Sequence, residues 1–148
     1  MAALTVEGSD IITDAMKNLS EIPGDVKLKM LEEMGNVCKD AEYREGQSMN
    51  IWDPNWEGKH VLESLSRNEP QLNKNGDGGG YVTVTFSGTR HRGKKDTRNA
   101  EIAFINNYGA NDRGIAPKPF VTNATEKHAE EIQAAGEKIF DDWVDDIY

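Results

Sequence analysis

The stretch Tyr81-Val82-Thr83-Val84-Thr85-Phe86 alternates large apolar or aromatic side chains with threonine. Successive side chains of a β-strand point to opposite faces, so a period of two predicts a strand with one buried face. The Asn/Gly-rich segment before it, residues 73–80, predicts a turn without regular structure. We therefore expect the chain to enter a half-buried strand from a flexible turn.

The chain after this strand predicts a second strand. Residues 89–99 are polar, and an apolar run resumes over residues 100–108. We interpret the two apolar runs as antiparallel partners joined by a long polar connection. The segment 109–119 that follows is rich in turn-forming residues and predicts an irregular connection.

The N-terminal half predicts two helices, because apolar residues recur there every three or four positions. A short strand at 4–6 precedes a first helix whose apolar stripe lies within residues 11–19. Pro23-Gly24 ends that helix, and a longer second helix has its apolar face over residues 26–41. One face of each helix should therefore be buried.

The middle of the chain, residues 46–65, has no long periodic stretch. Residues 46–58 lose the helical period and predict a loop, with Trp52 and Trp56 either packing locally or contacting a partner. The apolar residues between 61 and 65 predict a short helix or strand.

The C-terminal part predicts one long helix, from Thr122 or Asn123 almost to Tyr148. One side of it is apolar, and the other is acidic, since residues 126–148 hold eight Asp/Glu against two Lys. The predicted fold class is α+β: a small antiparallel sheet packed against N-terminal helices and a long C-terminal helix, in a single domain over residues 1–148.

Composition narrows the range of partners. The 148 residues include 17 Lys+Arg and 26 Asp+Glu, a net charge of -9, and proteins that bind duplex DNA normally present a basic face. Stable DNA binding by the bulk of the surface is therefore disfavoured. The one cysteine, Cys38, excludes an internal disulfide and a cysteine-based zinc site. The sequence shows neither a basic-then-apolar leader nor an apolar run of membrane length, so we expect synthesis in the cytoplasm and no membrane partner.

No pattern of residues predicts chemistry. The segment 73–78 superficially resembles a calcium loop, but the required glutamate position falls on Val84, inside the predicted strand. His60, His91 and His128 lie in separate elements, and we expect them at the surface. The acidic residues of the last helix should simply be solvated. We therefore expect no catalytic residue, no metal and no cofactor, and the chain is not predicted to be an enzyme.

The segment 90–98 is a local charge anomaly, because five of its nine residues are basic in an acidic protein. Those cations are Arg90, Arg92, Lys94, Lys95 and Arg98. They can contact a DNA backbone or an acidic partner, including the last helix of a neighbouring copy. They can equally belong to a mobile hairpin tip whose charges keep the protein soluble. Both interpretations stay open at this point.

A longer segment resembles a known family. Residues 99–109, then 115–120 and 122–124, are similar to the closing signature of minor tail components of long-tailed phages, the gene-product-ten family of lambdoid phages. Asn107-Tyr108-Gly109 stands where that family has Glu-Tyr-Gly at the end of a strand. The run Ala116-Pro117-Lys118-Pro119-Phe120 stands where it has an Ile-Pro-Ala-x-Pro-Phe turn, with alanine and proline exchanged. These replacements are departures from the family pattern. Residues 58–65 loosely resemble its Gly-x-Leu-x-x-Ser-Ile stretch.

The resembling segment also suggests interface residues. Pro117 and Pro119 stiffen an extended stretch, and Phe120 follows as an apolar plug just before the last helix. A rigid edge of this kind suits packing between identical subunits, so these three residues join the five cations of segment 90–98 as candidate interface residues. The same residues would also build an ordinary turn into a core helix.

The resemblance implies a structural virion protein at the head–tail junction, related to tail-completion or head–tail joining proteins. It implies a hexameric ring of copies that contacts the head-closure or connector protein, the tail terminator and the tail tube. DNA would pass through the channel without specific binding, and an acidic lumen would let it slide. A tail terminator is the alternative of the same kind. A DNA-mimicking regulatory protein and a DNA-handling or hydrolytic enzyme are the alternatives of other classes.

Overall fold

The computed structural model describes residues 4–7, 11–12, 22–51, 61–92 and 95–147, and these form an α+β fold as the sequence predicts. The helices of the described part are α1 (Gly24–Ser48), α2 (Asn99–Tyr108), α3 (Phe120–Lys127) and α4 (Ala129–Ile147). Its strands are β1 (Leu4–Glu7), β2 (Ile11–Ile12), β3 (Leu65–Arg67), β4 (Gln71–Leu72), β5 (Gly80–Phe86), β6 (Thr89–Arg92) and β7 (Lys95–Arg98).

Strand β5 is the centre of the main sheet, which confirms the strand predicted from its alternating side chains. β3 and β4 pair antiparallel with its two ends, through Leu65↔Phe86 and Leu72↔Gly80 respectively. β1, also predicted, runs parallel to β5, and β2 lies antiparallel beside β1. Val82 and Val84 of β5 are buried, whereas Thr85 is exposed. The period-two pattern therefore marks one face of the sheet as core.

Two expectations about this sheet are wrong. The apolar stripe assigned to a first helix includes Ile11–Ile12, which instead form β2; the rest of that predicted helix lies outside the described residues. Residues 100–108, expected to be a strand, form helix α2. Short apolar runs do not distinguish strand from helix, and tertiary pairing decides. Here β1 pairs with one edge of β5 over Gly80–Thr83, and β3 and β4 pair with its other edge.

The helices follow the sequence more closely. α1 confirms the long second helix but continues to Ser48, so the predicted loop begins later; Trp52 and Trp56 lie outside the described residues. The stretch 61–65 combines both predicted options, with a short 3-10 turn at Leu62–Ser64 leading into β3. The last helix begins earlier than predicted and is interrupted at His128, where the backbone departs from helical angles (φ -110°, ψ 12°). That break separates α3 from α4.

α1 is the central element of the core. Its buried residues Met30, Leu31 and Met34 pack with β5 and with Ile132 of α4 in one cluster. A second cluster contains Phe120 at the start of α3 together with Ala103 of α2 and with Ile51, Val61 and Leu62. Tyr43 and Phe86 pack against both clusters, so α1, the sheet and the three C-terminal helices share a continuous interior.

Gly109 ends α2 with backbone angles that suit glycine alone (φ 75°, ψ -178°). A Cβ placed there would lie 2.8 Å from the Ile115 carbonyl oxygen and 2.9 Å from the Pro117 nitrogen. We expect Gly109→Ala to lower the free energy of unfolding by about 2 kcal/mol, because both the dihedral angles and the backbone contacts oppose it. Urea denaturation measures the loss.

Gly114 provides the control, since it also has a positive φ (67°) but would bring a Cβ into open space. Gly114→Ala should therefore lose less stability than Gly109→Ala. Equal losses in the two variants would show that the close contact with the 115–117 backbone is unimportant.

Candidate interaction surface

The basic segment is a β-hairpin that leads directly into α2. β6 and β7 pair antiparallel, with Arg90 opposite Thr97 and Arg92 opposite Lys95. Arg98 is exposed and Arg90 is half-buried. Lys94, and the side chains of Arg92 and Lys95, lie outside the described residues. A hairpin is compatible with both interpretations of this segment, and its contact with a partner remains a prediction.

The proline–phenylalanine segment divides between surface and interior. Pro117 is exposed and Pro119 is half-buried immediately before α3. Phe120 is 0% exposed, and its ring meets that of Phe86 edge-on, with centroids 5.8 Å apart. The prediction that Phe120 contacts a partner is therefore corrected: it plugs the core of its own chain. Pro117 remains available at the surface.

Asn107 links α2 to α3 within residues 99–124, the segment that resembles the phage family. Its Oδ1 accepts hydrogen bonds from the backbone N–H groups of Val121 (3.0 Å) and Thr122 (3.2 Å), in the first turn of α3. Free N–H groups at a helix start are satisfied by such a side-chain oxygen. The residue that replaces the family's glutamate thus caps α3 from α2, and it fixes the turn between the two helices.

A pocket that the sequence analysis missed lies between α1, β5, α2 and α3, and we call it the α2 pocket. Its volume is about 160 Å³, and it is lined by Glu42, Val84, Thr85, Phe86, Ala100, Ala103, Phe104, Asn107, Tyr108 and Val121. The lining is largely apolar, with the carboxyl of Glu42 as its one acidic group among the described residues. A sequence signal existed: Glu42 lies four residues after Cys38 and so continues the buried face of α1.

Glu42 is unusually placed for a carboxylic acid, since its side chain is 1% exposed. Burial raises its pKa to about 8, because the low-dielectric interior disfavours the charged form. The Cys38 thiol donates to its Oε1 over 3.8 Å, and this bond acts weakly in the opposite direction. Its Oε2 has no hydrogen-bond partner in the described part of the chain. At neutral pH the group is therefore mostly a protonated acid with one unsatisfied oxygen.

Two exposed aromatic side chains stand on α2 at this pocket. Phe104 is 62% exposed and Tyr108 is 64% exposed, and their ring centroids are 4.7 Å apart. Both line the α2 pocket as well. Large aromatic side chains are enriched where protein surfaces meet and depleted from solvated surface. The pocket and its aromatic rim therefore form a candidate docking surface next to the basic hairpin.

A second polar cluster ties α1 to the start of α4. His128 contacts Glu45 of α1 through Nε2 (3.1 Å) and Glu131 of α4 through Nδ1 (3.0 Å), and Arg44 reaches Glu131 at 3.4 Å. The bond to Glu131 is the main cause of a raised His128 pKa, and the same bond lowers the pKa of Glu131. His128, the residue at which the helix breaks, thus takes part in an ion-pair network.

We expect this cluster to stabilise the fold within a pH window. The raised His128 pKa gives stability that is present below pH 6.5 and is lost as the pH rises through the folded-state value. The lowered Glu131 pKa gives stability that is present above pH 4.5 and is lost as the pH falls through its folded-state value. His128→Gln should therefore destabilise the protein most near pH 5.5 and little at pH 9. A loss of equal size at both pH values would contradict the ion-pair role.

The turn over residues 73–80 and the outer side of α4 carry further polar groups at the surface. Asp77 accepts from the Gly79 backbone N–H at 2.8 Å, which lowers its pKa and closes the turn predicted over residues 73–80. In the described residues we find no group of three or more His, Cys, Asp or Glu side chains placed to hold a metal ion. The helices of the described ranges all lack the length and apolar character that crossing a membrane requires. Exposed acids line α4: Glu130, Glu131, Asp141, Asp142, Asp145 and Asp146.

Comparison with known proteins gives no relative: no family model, no curated protein and no solved structure matches this chain. The resemblance of residues 99–124 to phage tail-completion proteins therefore remains a prediction.

Proposed function

We propose that this protein is a structural component of the head–tail junction of a tailed phage, where copies form a hexameric ring around the DNA channel. The observation that carries the proposal is the folding of residues 99–124. The part of the sequence that resembles the tail-completion family forms one packed unit, in which residues 109–119 connect α2 to α3 and Asn107 of α2 caps the first turn of α3. That unit displays an aromatic pair, Phe104 and Tyr108, that is more than 60% exposed. Such a surface suits assembly with other proteins.

Charge distribution supports contact between copies. The chain has a basic hairpin at 90–98 and, on α4, an exposed row of acids, although its net charge is -9. Opposite charges on different parts of the same surface favour a head-to-tail contact between identical subunits, and repeated contacts of that kind close into a ring. The positive and negative regions would thus set the orientation of neighbouring subunits.

In this role the protein works by assembly and makes or breaks no bond. The ring binds the head-proximal end of the tail and docks the filled head through the connector or head-closure protein. The acidic residues in excess of the hairpin cations repel DNA phosphates, so DNA passes without specific binding. A tail terminator would occupy the same neighbourhood, and binding to the end of the tail tube in place of the head-closure ring would identify it.

Gene disruption tests the role directly. In a phage that encodes this chain, loss of the protein should give full heads and separate tails, seen by electron microscopy, and the wild-type chain supplied from a plasmid should restore joined particles. Normal particles after disruption would overturn the proposal.

Charge reversal tests the hairpin. We expect Lys94→Glu with Arg98→Glu to abolish rescue in the same assay, because both changes oppose docking of the basic segment to an acidic surface. Lys29→Glu with Lys74→Glu is the matched control, since both lysines are exposed and the net charge changes by the same amount. If the hairpin variant restores joining as well as the control does, the hairpin has no docking role.

A further inference from the structure

The large apolar side chains that the described residues leave exposed are unevenly distributed. Three of the five, Phe104, Tyr108 and Ile115, lie on α2 and on the connection that follows it. The other two are Leu72 of β4 and Ile147 at the end of α4. Exposed apolar side chains that lie together mark interaction sites, whereas single ones are ordinary on a protein surface. The outer side of α2 is therefore a docking surface.

Exposed cations flank the aromatic pair of α2. Arg98 is the last residue of β7 and immediately precedes α2, and Arg113 and Lys118 lie in the connection after it. In the part of the chain that the structure describes, none of these three side chains forms an ion pair. We call Phe104 and Tyr108 together with these three cations the α2 face. Residues 98–118 also hold two acids, so their net charge is +1 in a chain of net charge -9: Glu101 and Asp112.

The end of α4 has the complementary character. Ile147 is 55% exposed there, and residues 141–147 hold four aspartates and no cation. Asp142 pairs with Lys138 of its own helix over 3.3 Å. The other three aspartates are exposed and form no ion pair with any described residue: Asp141, Asp145 and Asp146. An apolar side chain among unpaired acids fits an aromatic surface flanked by unpaired cations.

The two surfaces lie on different parts of one copy. α4 packs mainly along α1, whereas α2 packs against α3, β5 and β7. We propose that the α2 face of one copy binds the C-terminal end of α4 of a second copy, with Ile147 against the rings of Phe104 and Tyr108 and the aspartates beside the flanking cations. This inference rests on the contact between copies proposed above, and it names the residues that form it. A contact between two different surfaces is head-to-tail, the kind that generates rings.

Self-association of the full-length chain tests the apolar part of the contact. We expect Ile147→Ala, and separately Phe104→Ala, each to weaken association at least about tenfold in analytical ultracentrifugation, because each removes one side of the same contact. The double variant should lose less than the product of the two losses. Leu72→Ala is the control, since it removes an exposed apolar side chain outside both surfaces. Losses that multiply, or an equal loss in the control, would overturn the contact.

Charge exchange tests the polar part of the contact. Asp145→Lys with Asp146→Lys should weaken association at least about tenfold, and so should Arg113→Glu with Lys118→Glu, because like charges then face each other. All four substitutions in one chain leave the net charge unchanged and should restore association to within about threefold of the wild type. The control for the first pair makes the same charge change at two exposed acids outside both surfaces: Glu63→Lys with Glu69→Lys. A fourfold variant that associates no better than either pair would refute the pairing.

A site-specific cross-link tests which copy supplies α4. Copies carrying Asn111→Cys, mixed with copies carrying Asp146→Cys, should form a bismaleimide-linked dimer, whereas neither variant alone should. Asn111 is exposed in the 3-10 turn that follows α2, and Asp146 is exposed beside Ile147. The native Cys38 is buried, so it does not compete. A chain with both substitutions that links only within itself, or a wild-type chain that stays monomeric at every concentration, would overturn the assignment to a second copy.

These results distinguish the contact from the head–tail role. Unjoined particles without the protein, together with Ile147→Ala and Phe104→Ala chains that associate like the wild type, would reject the contact and keep the role. Joined particles without the protein would reject the role, while association and cross-linking would still decide the contact. If Phe104→Ala lost particle joining but kept self-association, the α2 face would bind another protein, and the second copy would be rejected as its partner.

Discussion

Glu42→Gln removes most of the pH dependence of stability that the wild-type protein shows between pH 4.5 and about 8. In that interval the folded wild type keeps a proton that the unfolded chain has released, since burial raises the folded-state pKa from 4.5 to about 8. The folded state binds more protons, so its stability falls as the pH rises. The slope is about 1.4 kcal/mol per pH unit, and the whole interval amounts to on the order of 5 kcal/mol.

The variant should therefore match the wild type near pH 4.5 and exceed it in stability at pH 9. Glutamine keeps the shape of the protonated acid but has no proton to lose. Urea denaturation at pH 5, 7 and 9 measures the difference. Glu63→Gln is the control, because Glu63 is exposed and should leave the pH profile unchanged. Parallel profiles for wild type and Glu42→Gln would show that Glu42 titrates normally in the folded protein.

The position of Glu42 could be predicted in part. Its place on the apolar face of α1 follows from its position four residues after Cys38, which extends the helical periodicity of the sequence. The elements that pack over this face of α1 could not be predicted. They are α2 and α3, and the sequence predicts a strand in place of α2 and a later first residue for the last helix. Once α2 is a helix, Ala103 and Asn107 lie one turn apart and close the pocket above Glu42.

The sheet illustrates the same limit. The alternation over residues 81–86 predicts β5 and its buried face, since the side-chain period belongs to the strand itself. Its partners were predicted less well, because strand pairing depends on residues far apart in the chain. Leu4 lies beside Gly80 in a parallel pair, and no local pattern reports that contact. The polar segment taken as a long connection forms its own hairpin, β6 and β7, whose pairing is carried by the backbone.

The exposed aromatic pair was missed for a related reason. Phe104 and Tyr108 counted as apolar residues of a half-buried strand, yet in α2 they lie four residues apart on the outer face. Phe120 shows the converse: assigned to the surface from its proline-rich setting, it is fully buried. In both cases the sequence marked an aromatic residue as important. The packing of α2 and α3 on α1 decides whether its side chain is buried or exposed.

Phe120→Ala tests whether Phe120 belongs to the core, and we expect a large loss of stability. The Phe120 ring is 0% exposed and meets Phe86 edge-on, and a Cβ at Gly46 of α1 would lie 3.2 Å from it. The same Cβ would lie 2.5 Å from Leu62, so Gly46 leaves room for both the Leu62 side chain and the Phe120 ring. Truncation removes this packing and leaves a cavity, so the free energy of unfolding should fall by about 4 kcal/mol, measured by urea denaturation.

Phe104→Ala separates core from surface in the same experiment. Its ring is 62% exposed, so its loss should change stability by less than about 0.5 kcal/mol while weakening assembly. The two aromatic deletions should therefore have opposite signatures: Phe120→Ala unfolds more easily, and Phe104→Ala folds normally but joins heads to tails poorly. If instead Phe120→Ala kept its stability and lost only joining, Phe120 would return to the interface. In that case the hydrogen bonds from the α3 backbone to Asn107 would have to hold α3 in place without the packing of Phe120.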